Sequence, residues 1–294
     1  MKSMNIMLLI LLSAIWGGSF IFMRVLAPVF GATGTADLRL LIAAVFLLIF
    51  FKLTGYKINW KRDWKLLLVI GIINSAIPFT CFSFAALHIP ASISVVINAM
   101  TPMFGALFSV LILHDKLSPT KGVGLVIGAL GVVVISGSKS ITGSTESYLA
   151  IAACLLATFC YGLSGALIKK YGKDVEAKAL AGGSQLFAGL TLLPFLLTSE
   201  ISKPVTINIA ITVVVFAILC SAIAYLIYYH LIKEMGPTPA LSVTFLMPVF
   251  GIFWGWLILG ESIQAQMMVG AMIILVGTYL VVKRQRDGDS VSKS

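Results

Sequence analysis

The residues of this chain that could engage another molecule lie inside long apolar stretches, and most of them come in pairs. Pro102 and Pro248 are 146 positions apart, as are Phe79 and Tyr225, and Asn98 and Thr244; Trp16 and Tyr161 are 145 apart. Proline inside a helix removes a backbone donor and frees a carbonyl one turn back, which lipid cannot solvate. Pro102 and Pro248 therefore mark either a hinge beside a binding cavity or a static kink that shapes packing. The aromatic pairs can stack on a flat or apolar solute, or simply pack helices together. Asn98 and Thr244 precede the prolines by one turn, so each either contacts a solute or satisfies the freed carbonyl. Two candidates lack a paired equivalent. Gln185 is an amide inside an apolar run, available to a ligand or to a neighbouring helix. Arg39 follows Asp37 and either pairs with it, snorkels to the membrane interface, or captures the carboxylate of a small molecule. This is recognition chemistry, with no catalytic residue proposed.

Several other chemistries are disfavoured. The four cysteines, Cys81, Cys154, Cys160 and Cys220, sit in apolar runs without a Cys-x-x-Cys pair, so no metal is expected. His88, His114 and His230 fall at the ends of the apolar runs and read as interface residues. No Gly-x-x-x-x-Gly-Lys-[Ser/Thr] loop is present, so no nucleotide and no other cofactor is expected. The acids are expected in loops, tails or span ends, which disfavours a buried carboxylate relay. No ring-forming filter motif suggests a channel. A lipid-modifying membrane enzyme would need a polar cluster at one interface. His114-Asp115 is the only such pair, and its histidine is replaced by Gly260 in the equivalent Gly260-Glu261.

The elements that must carry these residues are transmembrane helices. Charged residues make up only 11% of the chain and hydrophobic residues 59%, against about 25% charged in soluble domains. The apolar runs are continuous rather than alternating, which favours helices over a barrel. We read ten spans, at roughly 6–27, 36–53, 66–87, 91–113, 121–137, 148–168, 179–198, 207–232, 239–259 and 266–282. The first is long enough to be an uncleaved helix rather than a signal peptide.

The chain also repeats itself. Residues 100–131 read MTPMFGALFSVLILHDKLSPTKGVGLVIGALG and residues 246–277 read LMPVFGIFWGWLILGESIQAQMMVGAMIILVG, in register without a gap. Two five-helix units are expected at 6–137 and 148–282, joined by the polar stretch 137–147 and followed by a tail at 283–294. With the N-terminus placed inside, only Arg24, Arg39, Lys139 and Lys203 of the 21 basic residues fall outside. Both termini are thus expected in the cytoplasm, and the net charge of +10 reflects loops beside lipid rather than nucleic-acid binding. Matching loops of the two units carry opposite charge bias, so the units are expected to be inverted relative to one another.

Trp16-Gly17, Arg39-Leu-Leu-Ile-Ala-Ala, the Pro102 and Pro248 helices, the Leu-x-Leu-x-[Asp/Glu] turns at Asp115 and Glu261, and the paired glycines after them together resemble the EamA family of the drug/metabolite transporter superfamily. The resemblance covers Ala14 to about Val282. It implies an all-α integral membrane protein of ten helices in the cytoplasmic membrane, working as a secondary transporter of a small molecule by alternating access. Export of an amino acid or similar metabolite is expected from the family, with drug efflux or metabolite uptake as the alternative. Candidate substrate residues are Trp16, Arg39, Phe79, Asn98, Tyr161, Gln185, Tyr225 and Thr244, with Pro102 and Pro248 as hinges. Tyr161 in place of Trp16 and Ser184 in place of Arg39 make the two units unequal around any such site. Whether the protein is a monomer or a homodimer is left open.

Overall fold

A computed structural model describes residues 2–115, 118–138, 141, 143–198, 201–235 and 243–283. The described residues are helical, with no strand among them. The helices are α1 (Lys2–Leu53), α2 (Trp60–Gly71), α3 (Ile77–His88), α4 (Ala91–Asn98), α5 (Thr101–Leu113), α6 (Pro119–Ser136), α7 (Thr145–Tyr171), α8 (Ala177–Leu197), α9 (Ile207–Ala217), α10 (Ala224–Met235), α11 (Val243–Leu259) and α12 (Ala265–Lys283). Wide π turns at Ile72–Ala76 and Ile218–Ile223 join α2 to α3 and α9 to α10. Eight helical stretches are long and apolar enough to cross a membrane, and Val243–Leu259 is a shorter apolar one. The protein is therefore an all-helical, multi-pass membrane protein.

The first helical stretch contains the first deviation from expectation. A connection was expected between spans at 27 and 36, but helix continues through that region with one break, at Gly31 (φ 69°, ψ 177°). The left-handed φ is open to glycine at little cost. Trp16 Nε1 and Arg39 Nη2 each donate to the carbonyl of Cys220, both at 3.2 Å. Along an unbroken helix residues 16 and 39 would stand about 35 Å apart. The chain therefore doubles back at Gly31, and α1 consists of two arms, 2–30 and 32–53.

Pro102 lies at the centre of its span, Ala91–Leu113, as expected, but the two prolines differ in their local settings. Pro102 stands at the start of α5, after an interruption at Ala99 and Met100, whereas Pro248 is inside α11. The carbonyl that Pro102 frees belongs to Asn98, and the Thr101 hydroxyl donates to it at 2.8 Å. Thr278 of α12 donates to the neighbouring Ala99 carbonyl at 3.0 Å. These hydroxyls supply the hydrogen bonds that lipid would not. Residues 239–242 of the expected ninth span lie outside the described residues.

Glycines set the closest approaches between helices. A Cβ on Gly124 would stand 2.7 Å from the Gly277 carbonyl oxygen, and one on Gly131 would stand 2.9 Å from that of Gly270. The same contacts recur with the two halves exchanged, because adding 146 to 124 and 131 gives 270 and 277. Gly17 against Gly251 and Gly162 against Gly105 form another exchanged pair. The two π turns are likewise 146 positions apart at their starts.

Polar contacts sort the connections into two ends. At one end Arg62, after the second arm of α1, donates to the carbonyl of Asp174, after α7. Lys170 reaches the carbonyl of Ile112 in α5. At the other end Ser202 N donates to the Val29 carbonyl, and Glu261 caps α4, accepting from the backbone of Ala91 at 2.7 Å and of Ser92 at 3.0 Å. The acid of the repeated turn is thus a helix cap supplied from the opposite half of the chain.

The glycine seam yields a direct expectation. Gly277→Ala should lower thermal stability in detergent by the cost of overpacking, about 1–3 kcal/mol, because the added methyl meets the backbone of Gly124 and Gly128. Gly122→Ala on the same α6 helix, where a Cβ meets nothing within 4 Å, should not. Thermal unfolding of the two variants side by side checks this.

Candidate functional site

Arg39 is the centre of the polar interior. It is only 4% exposed, so it neither snorkels nor reaches the interface. Nor does it form an ion pair with Asp37, for residues two apart on a helix point away from each other. Its Nε donates to Ser221 Oγ at 2.6 Å and its Nη2 to the Cys220 carbonyl, both in the second π turn. The guanidinium carbon lies 3.7 Å from the centre of the Phe79 ring and 4.6 Å from that of Phe216. Tyr161 and Tyr225 are within its electrostatic reach. A buried cation is thus held by a hydroxyl, a carbonyl and two ring faces, with no carboxylate among the described residues as its partner.

The π turn explains how this is possible. Widening the helix by one residue shifts its backbone hydrogen bonds and turns carbonyls toward neighbours. The Cys220 carbonyl accepts from both Trp16 and Arg39. Trp16 also packs edge-on to Tyr225, with ring centres 5.9 Å apart, and against Tyr228 at 5.2 Å. Tyr161 stacks on Phe82 at 6.2 Å and packs in the cluster containing Phe79. Gln185 is 1% exposed, with neither amide atom hydrogen-bonded, and lies one turn from Ala188, a member of that same cluster. Trp16, Arg39, Phe79, Tyr161 and Tyr225 therefore gather at one place, and Gln185 is on the helix beside it.

Asn98 makes a contact of its own. The Asn98 amide points to the Met247 sulfur at 3.9 Å, linking α4 to α11, and the freed Asn98 carbonyl is met by Thr101. Thr244 opens α11 with Pro248 one turn on. Asn98 thus belongs to the contact of α4 with α11.

Sequence reasoning missed Ser221 and Phe216. A serine and a phenylalanine in an apolar run carry no signal of their own, and the π turn that aims Ser221 at Arg39 has no motif. His114 also finds an explanation. It ends α5 in the left-handed region, φ 58°, where its equivalent Gly260 has φ 64°. Asp115 N then bonds the Ser109 carbonyl, as Glu261 N bonds that of Gly255. The His114-Asp115 pair is a helix-ending turn.

With that geometry in hand, comparison with known proteins is informative. The EamA-like transporter family matches residues 3–137 and 148–283, and the chain belongs to this family, within the drug/metabolite transporter superfamily. A protein described as an uncharacterized transporter from Archaeoglobus fulgidus is 24% identical over 92% of this chain and 95% of its own length. Protein PecM of Dickeya dadantii is 25% identical, covering 91% of this chain and 88% of its own. A probable terminal-alkyne amino-acid exporter from Streptantibioticus cattleyicolor is 22% identical over 94% of this chain and 92% of its own. A protein of known crystal structure shares the fold with a TM-score of 0.66 at 17% identity, over 96% of this chain and 98% of that one. The family implies a small-molecule substrate handled within a lipid bilayer.

The cost of the buried cation separates a functional Arg39 from a structural one. Arg39→Met should leave stability unchanged or raise it, by up to about 4 kcal/mol, as when apolar residues replace other buried charges. Ser221→Ala should instead lower stability by about 1–3 kcal/mol, since it leaves the guanidinium underbonded. Detergent melting curves of both variants, at equal membrane insertion, measure this.

Proposed function

We propose that the protein is a secondary transporter that exports a small metabolite of amino-acid type across the cytoplasmic membrane by alternating access. The observation that carries this is the enclosed Arg39 guanidinium, without a carboxylate partner among the described residues, at the contact between the two halves of the chain. Such a group is costly to keep in a membrane interior, and intramembrane charges mark substrate paths. Its chemistry suits the carboxylate of a zwitterion, and the rings of Trp16, Phe79, Tyr161 and Tyr225 around it suit an apolar side chain. In the described conformation these groups pack on one another. Substrate enters when the halves part, and its carboxylate replaces the Ser221 and Cys220 contacts.

The architecture we assign is ten crossings, counting α1 twice, as inverted units at 6–137 and 148–282. The contacts that recur when the halves are exchanged support it. The clustering of the basic loops at one end supports cytoplasmic termini and a cytoplasmic tail at 283–294. Pro102 and Pro248 would serve as hinges, with Asn98 and Thr244 between them transmitting the motion. The His114 turn geometry supports a carrier rather than an enzyme. The amino-acid exporter among the relatives supports the substrate class.

Expression in a bacterial host should raise one or a few amino acids in the medium, and Arg39→Met at matched membrane levels should abolish the rise. Metabolite profiling of the medium makes the comparison. Unchanged profiles, with uptake or resistance to added compounds instead, would replace this reading by metabolite uptake or drug efflux.

A further inference from the structure

Asp37, an acid that the sequence placed at a span end, is enclosed between helices. It lies six residues past the Gly31 break, in the second arm of α1, and is 0% exposed. Among the described residues neither carboxyl oxygen has a hydrogen-bond partner. Oδ1 faces Gly189 of α8, 3.4 Å from where a Cβ would stand. On the same face of α8, one turn away, is Gln185, also buried with both polar atoms unpartnered. The titratable groups packed around this arm are Arg39 itself, Cys220 of the second π turn, Tyr161 of α7 and Tyr225 of α10. All of them gather around the guanidinium. Toward Asp37, α8 presents Gly189, and the cluster that its neighbours Ala36 and Leu40 form with Ala76, Phe79, Ala188 and Leu192 is apolar. Among the described residues no ion pair involves Asp37.

An ionised carboxylate without donors in such a place is far costlier than the neutral acid. The conformation described therefore favours the neutral, protonated form of Asp37. The acid can release that proton only where water or a cation reaches it, which requires α8 and the first hairpin to separate. Protonation is thereby tied to which conformation the protein occupies.

We propose that Asp37 is a proton-binding site that couples export to an inward proton gradient, one proton entering for each solute that leaves. This rests on the transport reading above. The proton moves from the acidic compartment to the Asp37 carboxylate and from there to the alkaline compartment, with no other bond made or broken. An antiporter of this kind accumulates its solute on the acidic side whichever way the protein is oriented.

The test uses the full chain in liposomes with an equimolar mixture of radiolabelled neutral amino acids. Membrane potential is clamped at zero with potassium and valinomycin. A gradient of one pH unit should drive about tenfold accumulation in the acidic compartment at one proton per solute. Asp37→Asn should lose this accumulation but keep solute exchange at equal pH. Accumulation by Asp37→Asn equal to the wild type would overturn the proposal, as would wild-type exchange without accumulation, in which case the transport reading survives. Absence of exchange in the wild type would instead defeat the amino-acid reading. The proton site is then decided by infrared spectroscopy of the purified protein at neutral pH. A carboxylic-acid C=O stretch that shifts on isotopic labelling of aspartate and is lost in Asp37→Asn supports it, and a wild-type spectrum without that band overturns it.

Discussion

The structure depends on one constraint: a backbone carbonyl inside lipid must find a donor within the protein. At several places where a helix of this chain departs from regularity, a specific side chain answers. Thr101 and Thr278 cover the carbonyls at the break between α4 and α5. Trp16 and Arg39 cover Cys220 in the second π turn. Glu261 accepts the orphan amides at the start of α4. Apart from Thr101, these donors and acceptors come from distant parts of the chain, so the irregularities they answer tie one helix to another. In a bundle where apolar contact alone discriminates little between partners, such bonds select which helices meet.

The same constraint accounts for the position of the candidate site. A charge can be enclosed only where groups of opposite polarity already exist, and the irregular turns supply them. Arg39 is retained among two aromatic faces, a hydroxyl and a carbonyl, none of which neutralises its charge. Two residues earlier Asp37 points into the opposite side of the arm and finds no donor at all. One helix arm therefore presents a satisfied cation and an unsatisfied acid in opposite directions. A rotation or tilt of that arm alters the surroundings of both together.

Glycine provides the mechanical side of this arrangement. At Gly124, Gly131, Gly270 and Gly277 two backbones touch without intervening side chains, which fixes α6 against α12 at close range. Gly189 is different, because the space its missing side chain leaves is bounded by Asp37 and Leu41. The first seam brings two backbones together, and the second sets the Asp37 carboxyl group against a glycine of α8.

Much of the molecule was legible in the sequence, since lipid reduces the choice of backbone to helix and makes apolar length a direct readout of it. The helical membrane class, the repeat of 146 residues and the resemblance to the family all follow from residue type and spacing. The tertiary structure decided what those residues touch. A π turn has no sequence signature, so the partnership of Arg39 with Ser221 was invisible, as was the contact of Asn98 with Met247. The burial of Asp37 depended on helix continuing to Gly31 and resuming at once, which moved an expected boundary residue into the interior. Composition sets which solvent a segment must face, whereas the rotation of each helix about its axis, which aims a polar side chain at a partner or at none, is set only when all the helices pack.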